Sequence, residues 1–127
     1  MYKIIIFCLF IFIVKDVSGM QVNPKTIALK LKKIIMTQKV KSVFDAEFGE
    51  SEWWAANSII TMESRWNPYA INKTSGACGL FQFLPCSKMK CNFDDVKCQA
   101  RAGVDYIKRR YLLPSRAWDF WTFNSWY

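Results

Sequence analysis

From Asn23 onward the apolar residues recur at helical spacing. Asn23-Pro24 supplies an N-cap followed by proline at the first helical position. Ile27, Leu31, Ile34 and Ile35 follow in step, while Lys30, Lys32 and Lys33 fall largely on other faces. The pattern predicts an amphipathic first helix reaching to about Phe44, its apolar stripe in the core and its lysines in water. The alternative use of such a helix is to lie on a membrane or wall surface. Gly49 breaks the period. Ser51 is placed to cap a second helix, and Glu52 suits its first turn. Trp53, Ala56, Ile60 and Glu63 share one face of that helix. Pro68 disfavours helix at Asn67, so the helix stops near Arg65 and Glu63 ends its buried stripe. Residues 66–77 read as loop, with Asn72 and Gly76 as turn residues, and Gly79 to Leu84 as a short extended piece. Asn92 or Asp94 caps a third helix carrying Val96, Ala100, Gly103, Ile107 and Tyr111. Pro114 ends it, and Ser115 caps a last short helix rich in Trp118, Phe120, Trp121 and Phe123. The sum is a mostly α domain with one short extended or β segment, without repeats or an interior linker.

The chain opens differently. Met1-Tyr2-Lys3 precedes an uncharged run from Ile4 to Val14, then Lys15-Asp16 and Val17-Ser18-Gly19. The run falls well short of the roughly 20 residues that span a bilayer. A basic start, a short apolar stretch and a small-residue end predict a secretory signal peptide over residues 1–19; an uncleaved interfacial anchor is the alternative. Residues 20–127 then form a single domain. The formal net charge is +8, which predicts attraction to polyanions. For an exported protein these are cell-wall polymers or membrane surfaces, not nucleic acid. Beyond the leader remain Cys78, Cys86, Cys91 and Cys98, an even set in a small exported domain. They predict two disulfides whose pairing the sequence leaves open. The competing zinc site lacks any Cys-x-x-Cys pair and any histidine, so no metal or other cofactor is expected.

Glu63 carries the candidate chemistry. Cleaving a glycosidic bond needs a proton on the leaving oxygen, from a donor still protonated near neutral pH. Apolar neighbours give a glutamate that property, and Ile59, Ile60 and Met62 flank Glu63 along its helix. Helix position alone fits an ordinary solvated glutamate better. The surrounding motif changes that balance. Glu63-Ser64, then Asn67-Pro68-x-Ala70, then Ser75-Gly76-Ala77-x-Gly79-Leu80-Phe81-Gln82-Phe83-x-Pro85 resembles the signature of the soluble lytic transglycosylases. These are peptidoglycan-cleaving enzymes of the lysozyme superfamily. The segment Gln99-x-x-x-Gly103-x-x-Tyr106-Ile107-x-x-Arg110-Tyr111, with Pro114-x-x-Ala117-Trp118-x-Phe120-Trp121 and Trp126-Tyr127, is similar to the ending of small secreted bacterial and phage members. The likeness covers about residues 51–127; residues 20–50 match only in helical character.

The resemblance implies a lysozyme-like α+β fold in which Glu63 acts first as acid and then as base. Family members cut between N-acetylmuramic acid and N-acetylglucosamine, and the sugar's own 6-hydroxyl attacks to give a 1,6-anhydro product. One carboxyl can serve both steps, which fits a chain with no acid between Glu63 and Asp94. Asp94 or Asp95 folding back would instead allow lysozyme-like hydrolysis. Gln82 matches a glutamine expected to bind substrate in the groove; its other use is to brace a turn. Ser64 and Phe81 join it in the expected substrate-binding set, Ser64 mainly as a local cap of the helix end. Trp121 and Tyr127 are expected to stack on sugars, core packing being the ordinary alternative for any aromatic. The Tyr-Asn-Ala-Gly motif whose tyrosine orients the glutamate in other members is missing. Trp118-Asp119-Phe120-Trp121 stands in that region, leaving the supporting residue unidentified. The expected partners are peptidoglycan, with anionic wall polymers or a secretion or phage machine besides, and the expected state is a monomer. A non-catalytic cationic wall-binding protein is the reading that needs only the charge and the aromatics.

Overall fold

Helix starts and stops follow local chemistry, and a computed structural model describes them for residues 23–127. The expected leader over residues 1–19 lies outside the described residues. The chain divides into Met1–Lys33 and Ile34–Tyr127, and everything that bears on the site belongs to the second unit. Four helices carry the described part: α1 (Pro24–Phe48), α2 (Trp53–Ser64), α3 (Val96–Tyr111) and α4 (Pro114–Asn124). The architecture is mostly α, as the periodicity predicts.

The first helix corrects one expectation. Its buried residues are Val40 and Phe44, whereas Ile27, Leu31, Ile34 and Ile35 are exposed. The core-facing stripe runs later along the helix, through Met36, Val40, Val43, Phe44 and Phe48, because there the rest of the core lies against it. Capping also differs from the sequence reading. Glu50–Glu52 forms a 3-10 turn, and Glu52, not Ser51, occupies the N-cap of α2 without capping it. The Glu52 carboxylate instead accepts from the Ser115 N–H (2.8 Å) and the Ser115 hydroxyl (3.2 Å). It thereby serves an orphan donor at the start of α4. Asp95, not Asn92 or Asp94, caps α3 by accepting from the Cys98 N–H at 2.9 Å.

The stretch read as extended is a tight turn. Gly79 and Gln82 hold φ of 78° and 50°, and Cys78 and Phe83 exchange backbone hydrogen bonds across it. A second isolated bridge joins Ile71 to Cys78. Gly79 is required twice over: its φ is left-handed, and a Cβ there would lie 2.7 Å from Met89 Sδ and 2.8 Å from Gln99 Oε1. The turn thrusts Phe81 into the middle of the domain. Its ring stacks on Phe44 at 5.7 Å and contacts Phe83 at 6.0 Å. Gly103 of α3 makes room, since a Cβ would meet the Phe81 ring at 2.8 Å. Ala56, Ile59 and Ile60 of α2, Ala100, Val104 and Ile107 of α3, and Ala117 of α4 close the same core. The cysteines pair as Cys78–Cys86 and Cys91–Cys98, which ties down the segment between the turn and α3.

Gln99 is the polar centre of this arrangement. It is fully buried. Its Oε1 accepts from the Leu80 N–H at 2.8 Å, and its Nε2 donates to the carbonyls of Phe93 (2.8 Å) and Pro68 (3.2 Å). One amide therefore joins α3 to three loop segments with every bond satisfied. Gln99→Leu would strip partners from a buried N–H and two carbonyls. It is expected to lower unfolding stability by about 3–5 kcal/mol, read by urea denaturation. A loss below about 1 kcal/mol, the net worth of a single ordinary hydrogen bond, would show that the three bonds do not organise these loops.

Candidate active site

Glu63 sits in the last turn of α2, where the helix must stop. Arg65 closes it in a left-handed conformation, with its N–H on the Thr61 carbonyl, and Trp66 is left-handed as well, at φ 64°. Two successive non-glycine residues in this region are costly. Burial of Trp66 offsets the cost: its ring packs on Trp53 at 6.0 Å, and its indole N–H reaches Asn57 Oδ1 at 3.1 Å. The turn leaves Glu63 half-buried at the edge of the apolar stripe formed by Ala56, Ile59 and Ile60. The Trp121 indole N–H of α4 donates to Glu63 Oε1 at 2.6 Å. Glu52–Ser115 joins the starts of α2 and α4, and Glu63–Trp121 joins their later turns, so the two helices are pinned at two points. Trp121 is held in turn by a parallel stack on Trp118 at 5.3 Å.

The electrostatics of this pair pull in opposite directions. Burial raises the Glu63 pKa above the ordinary carboxyl value, and the Trp121 hydrogen bond, which favours the charged form, lowers it; burial is the larger effect. Among the described residues no second carboxylate contributes to the rise. The nearby Tyr127 hydroxyl is pushed well above its usual range, first by burial, then by the Glu63 charge and the tyrosines Tyr106 and Tyr111. Tyr127 therefore stays protonated, and its hydroxyl donates to the Phe81 carbonyl at 2.9 Å. Its ring meets Tyr106 edge-on at 5.4 Å and lies 6.3 Å from Tyr111. Tyr106 closes the cluster by donating to the Tyr127 main-chain oxygen at 3.0 Å.

The residues singled out in the sequence are only partly brought together. Glu63, Trp121 and Tyr127 form one neighbourhood. Ser64 is buried and donates to the Ile60 carbonyl of its own helix at 3.2 Å, which matches the local reading of that side chain. The Phe81 ring is a core ring, 2% exposed, and what it offers the site is its main-chain carbonyl. The Gln82 amide nitrogen braces the turn, donating to the carbonyls of Gly79 (3.0 Å) and Ala70 (3.4 Å). Gln82 also borders a small cavity of about 70 Å³ together with Phe81, Lys88, Tyr106 and Tyr127. Asp95, weighed as a second carboxylate, is engaged in capping α3. The sequence reading named Tyr106, Gln99 and Glu52 without the roles that the structure gives them. The first two fall inside the C-terminal motif, but no spacing rule says that one closes a tyrosine cluster and the other a loop junction.

Among the described residues no group of three His, Cys, Asp or Glu side chains converges as a metal site would. The same residues contain no helix long and apolar enough to cross a membrane.

The family described as Transglycosylase SLT domain matches residues 45–118. No curated protein and no solved structure shows a significant match. The matched stretch holds Glu63, the turn around Gln82 and the Gln99 junction, while Trp121 and Tyr127 lie beyond it. Because that stretch is more than half of the chain, the protein belongs to the transglycosylase SLT family.

Proposed function

We propose that this protein is a lytic transglycosylase that cuts the β-1,4 bond between N-acetylmuramic acid and N-acetylglucosamine in peptidoglycan. Family membership supplies the substrate, peptidoglycan, and the reaction class, glycosidic cleavage. The observation that carries the finer reading is a single half-buried carboxyl with a raised pKa, held by one indole N–H.

In the proposed reaction Glu63 gives its proton to the glycosidic oxygen as the C1–O bond breaks, and the N-acetylglucosamine side leaves as an alcohol. The carboxylate so formed is stabilised by the Trp121 N–H. It then takes the proton of the muramic acid 6-hydroxyl as that oxygen bonds to C1. Glu63 ends protonated, no water is consumed, and the product is a 1,6-anhydro sugar. A two-carboxylate hydrolase sets its second acid about 5–10 Å away; the chain carries no acid between Glu63 and Asp94, and Asp95 is engaged in capping α3, which favours the one-acid route. Trp121 takes the positioning role that a tyrosine fills in relatives carrying the Tyr-Asn-Ala-Gly motif.

The same reading places the protein outside the cytoplasm, with residues 1–19 as leader and residues 20–127 as a monomeric domain. Two disulfide pairs support an oxidising compartment. Mass spectrometry of fragments released from purified peptidoglycan tests the reaction. Anhydro-muropeptides are the expected product. Reducing-end muropeptides would replace the proposal with hydrolysis, and binding without fragment release would replace it with a wall-binding protein.

A further inference from the structure

A groove of about 960 Å³ runs along α3 beside the disulfide-tied segment. Lys88, Lys90, Arg101, Arg109 and Arg110 border it, against one carboxylate, Asp105. None of the five cations forms an ion pair among the described residues, where Lys41 pairs with Asp45 and Lys108 with Glu47. Like charges side by side repel, and such a row attracts an anion. Arg110 has a structural use, lying 5.1–5.9 Å from the rings of Tyr106, Tyr111, Phe120 and Trp126. Among the described residues the side chains of Lys88, Lys90 and Arg101 make no hydrogen bond, and Arg109 Nε donates only to the Asp105 carbonyl. The backbone that carries the two exposed lysines is also held in place. Both lie between Cys86 and Cys91, each cross-linked to another part of the chain, and Lys90 adopts a left-handed φ of 51°. A cationic segment held this firmly is preorganised for an anion.

A smaller cavity adjoins the groove. The groove shares Phe83, Lys88 and Tyr106 with this cavity, which Tyr127 and Gln82 border, and Tyr127 feels the Glu63 charge. Resting on the proposed substrate, we infer that this groove binds the carboxylates of the peptide stems carried by the glycan strand. A stem leaves the strand at the muramic acid, the sugar on one side of the bond to be cut, and extends about 3.5 Å per residue. A strand seated at Glu63 must therefore lay a short flexible acid-bearing chain nearby. A free phosphate polymer matches the charge of the groove but has no tie to the glycan site, so the wall that the groove shares with the cavity beside Tyr127 favours the stems.

The test uses the full chain carrying Glu63→Gln, so that binding is read without turnover. Fluorescence anisotropy compares glycan strands bearing peptide stems, the same strands stripped by an amidase, and poly(glycerol phosphate). Stem-bearing strands are expected to bind about tenfold more tightly than stripped ones at about 0.05 M salt, the sum of three exposed charge pairs of ordinary strength. The gap should close at about 0.5 M salt. Adding Lys88→Gln, Arg101→Gln and Arg109→Gln together should remove it, with circular dichroism and melting temperature unaltered. If the triple change impairs folding, Lys88→Gln and Arg101→Gln singly should each cost about twofold or more. Equal affinity for both strands, a gap that survives these changes, or tighter binding of the phosphate polymer would overturn the inference. Failure of the catalytic reading looks different: reducing-end products, or turnover surviving Glu63→Gln, would leave the binding gap intact.

Discussion

Glu63→Gln is expected to slow fragment release from peptidoglycan by about 10²–10⁴-fold, the range for loss of a positioned general acid, in a protein that remains folded. The amide has the shape of the acid, and its oxygen can still accept from the Trp121 indole N–H, so geometry is kept while the transferable proton is lost. In the wild type, activity should fall as pH rises through the Glu63 pKa. Because burial raises that pKa, the descending limb should lie above the range of an ordinary glutamate. The effect on stability has the corresponding sign. A carboxyl whose pKa is raised on folding stabilises the fold below its unfolded value and loses that contribution as pH rises through the folded one. At neutral pH the substituted amide avoids the burial of a charge. The variant should therefore be at least as stable as the wild type there, and the two should converge below the ordinary value of 4.5. Turnover within tenfold of wild type would remove Glu63 from the chemistry.

Trp121→Phe should reduce the rate by about 10–100-fold, the worth of one hydrogen bond to a charged group. The bond matters most when the proton has left, since the indole N–H then faces a carboxylate in partly apolar surroundings. The pH profile separates this role from simple packing. The hydrogen bond lowers the Glu63 pKa, so its loss lets burial push the value further up, and the descending limb should move to higher pH. A purely structural loss would lower the rate at every pH and leave the limb in place. Phenylalanine keeps an aromatic face against Trp118, so the fold should persist, as a melting curve would show. An unchanged rate and an unmoved limb together would discard the positioning role.

How much of this was legible in the chain differs from element to element. The end of α2 near Arg65 follows from Pro68, because that restriction acts between neighbours. The start of α4 was read one step late: Ser115 was expected as its cap, whereas Leu113 takes the N-cap and Pro114 is already helical, as suits a residue with no N–H to satisfy. The motif around Glu63 pointed to the family and to one acid, and the domain match bears out the family. The first helix was misjudged because periodicity defines an apolar face but not the stretch of it that the rest of the core will cover. Val40 and Phe44 were chosen by what packs beside them. The caps failed for a related reason: Glu52 has suitable chemistry for its own helix and directs it to Ser115, far along the chain.

The site divides along the same line. Residue type and short spacing determined, from the sequence alone, that a glutamate would stand at the edge of an apolar stripe, followed by a loop. Only the tertiary structure decided that Trp121 would be its partner, that Phe81 would fill the core, that Gln82 would brace its own turn, and which cysteines would pair. Backbone restrictions and helical period act over a few residues and can be read from neighbours. Hydrogen bonds between Trp121 and Glu63, or between Gln99 and three loops, join positions distant in the chain, and they exist only once packing has brought those positions together.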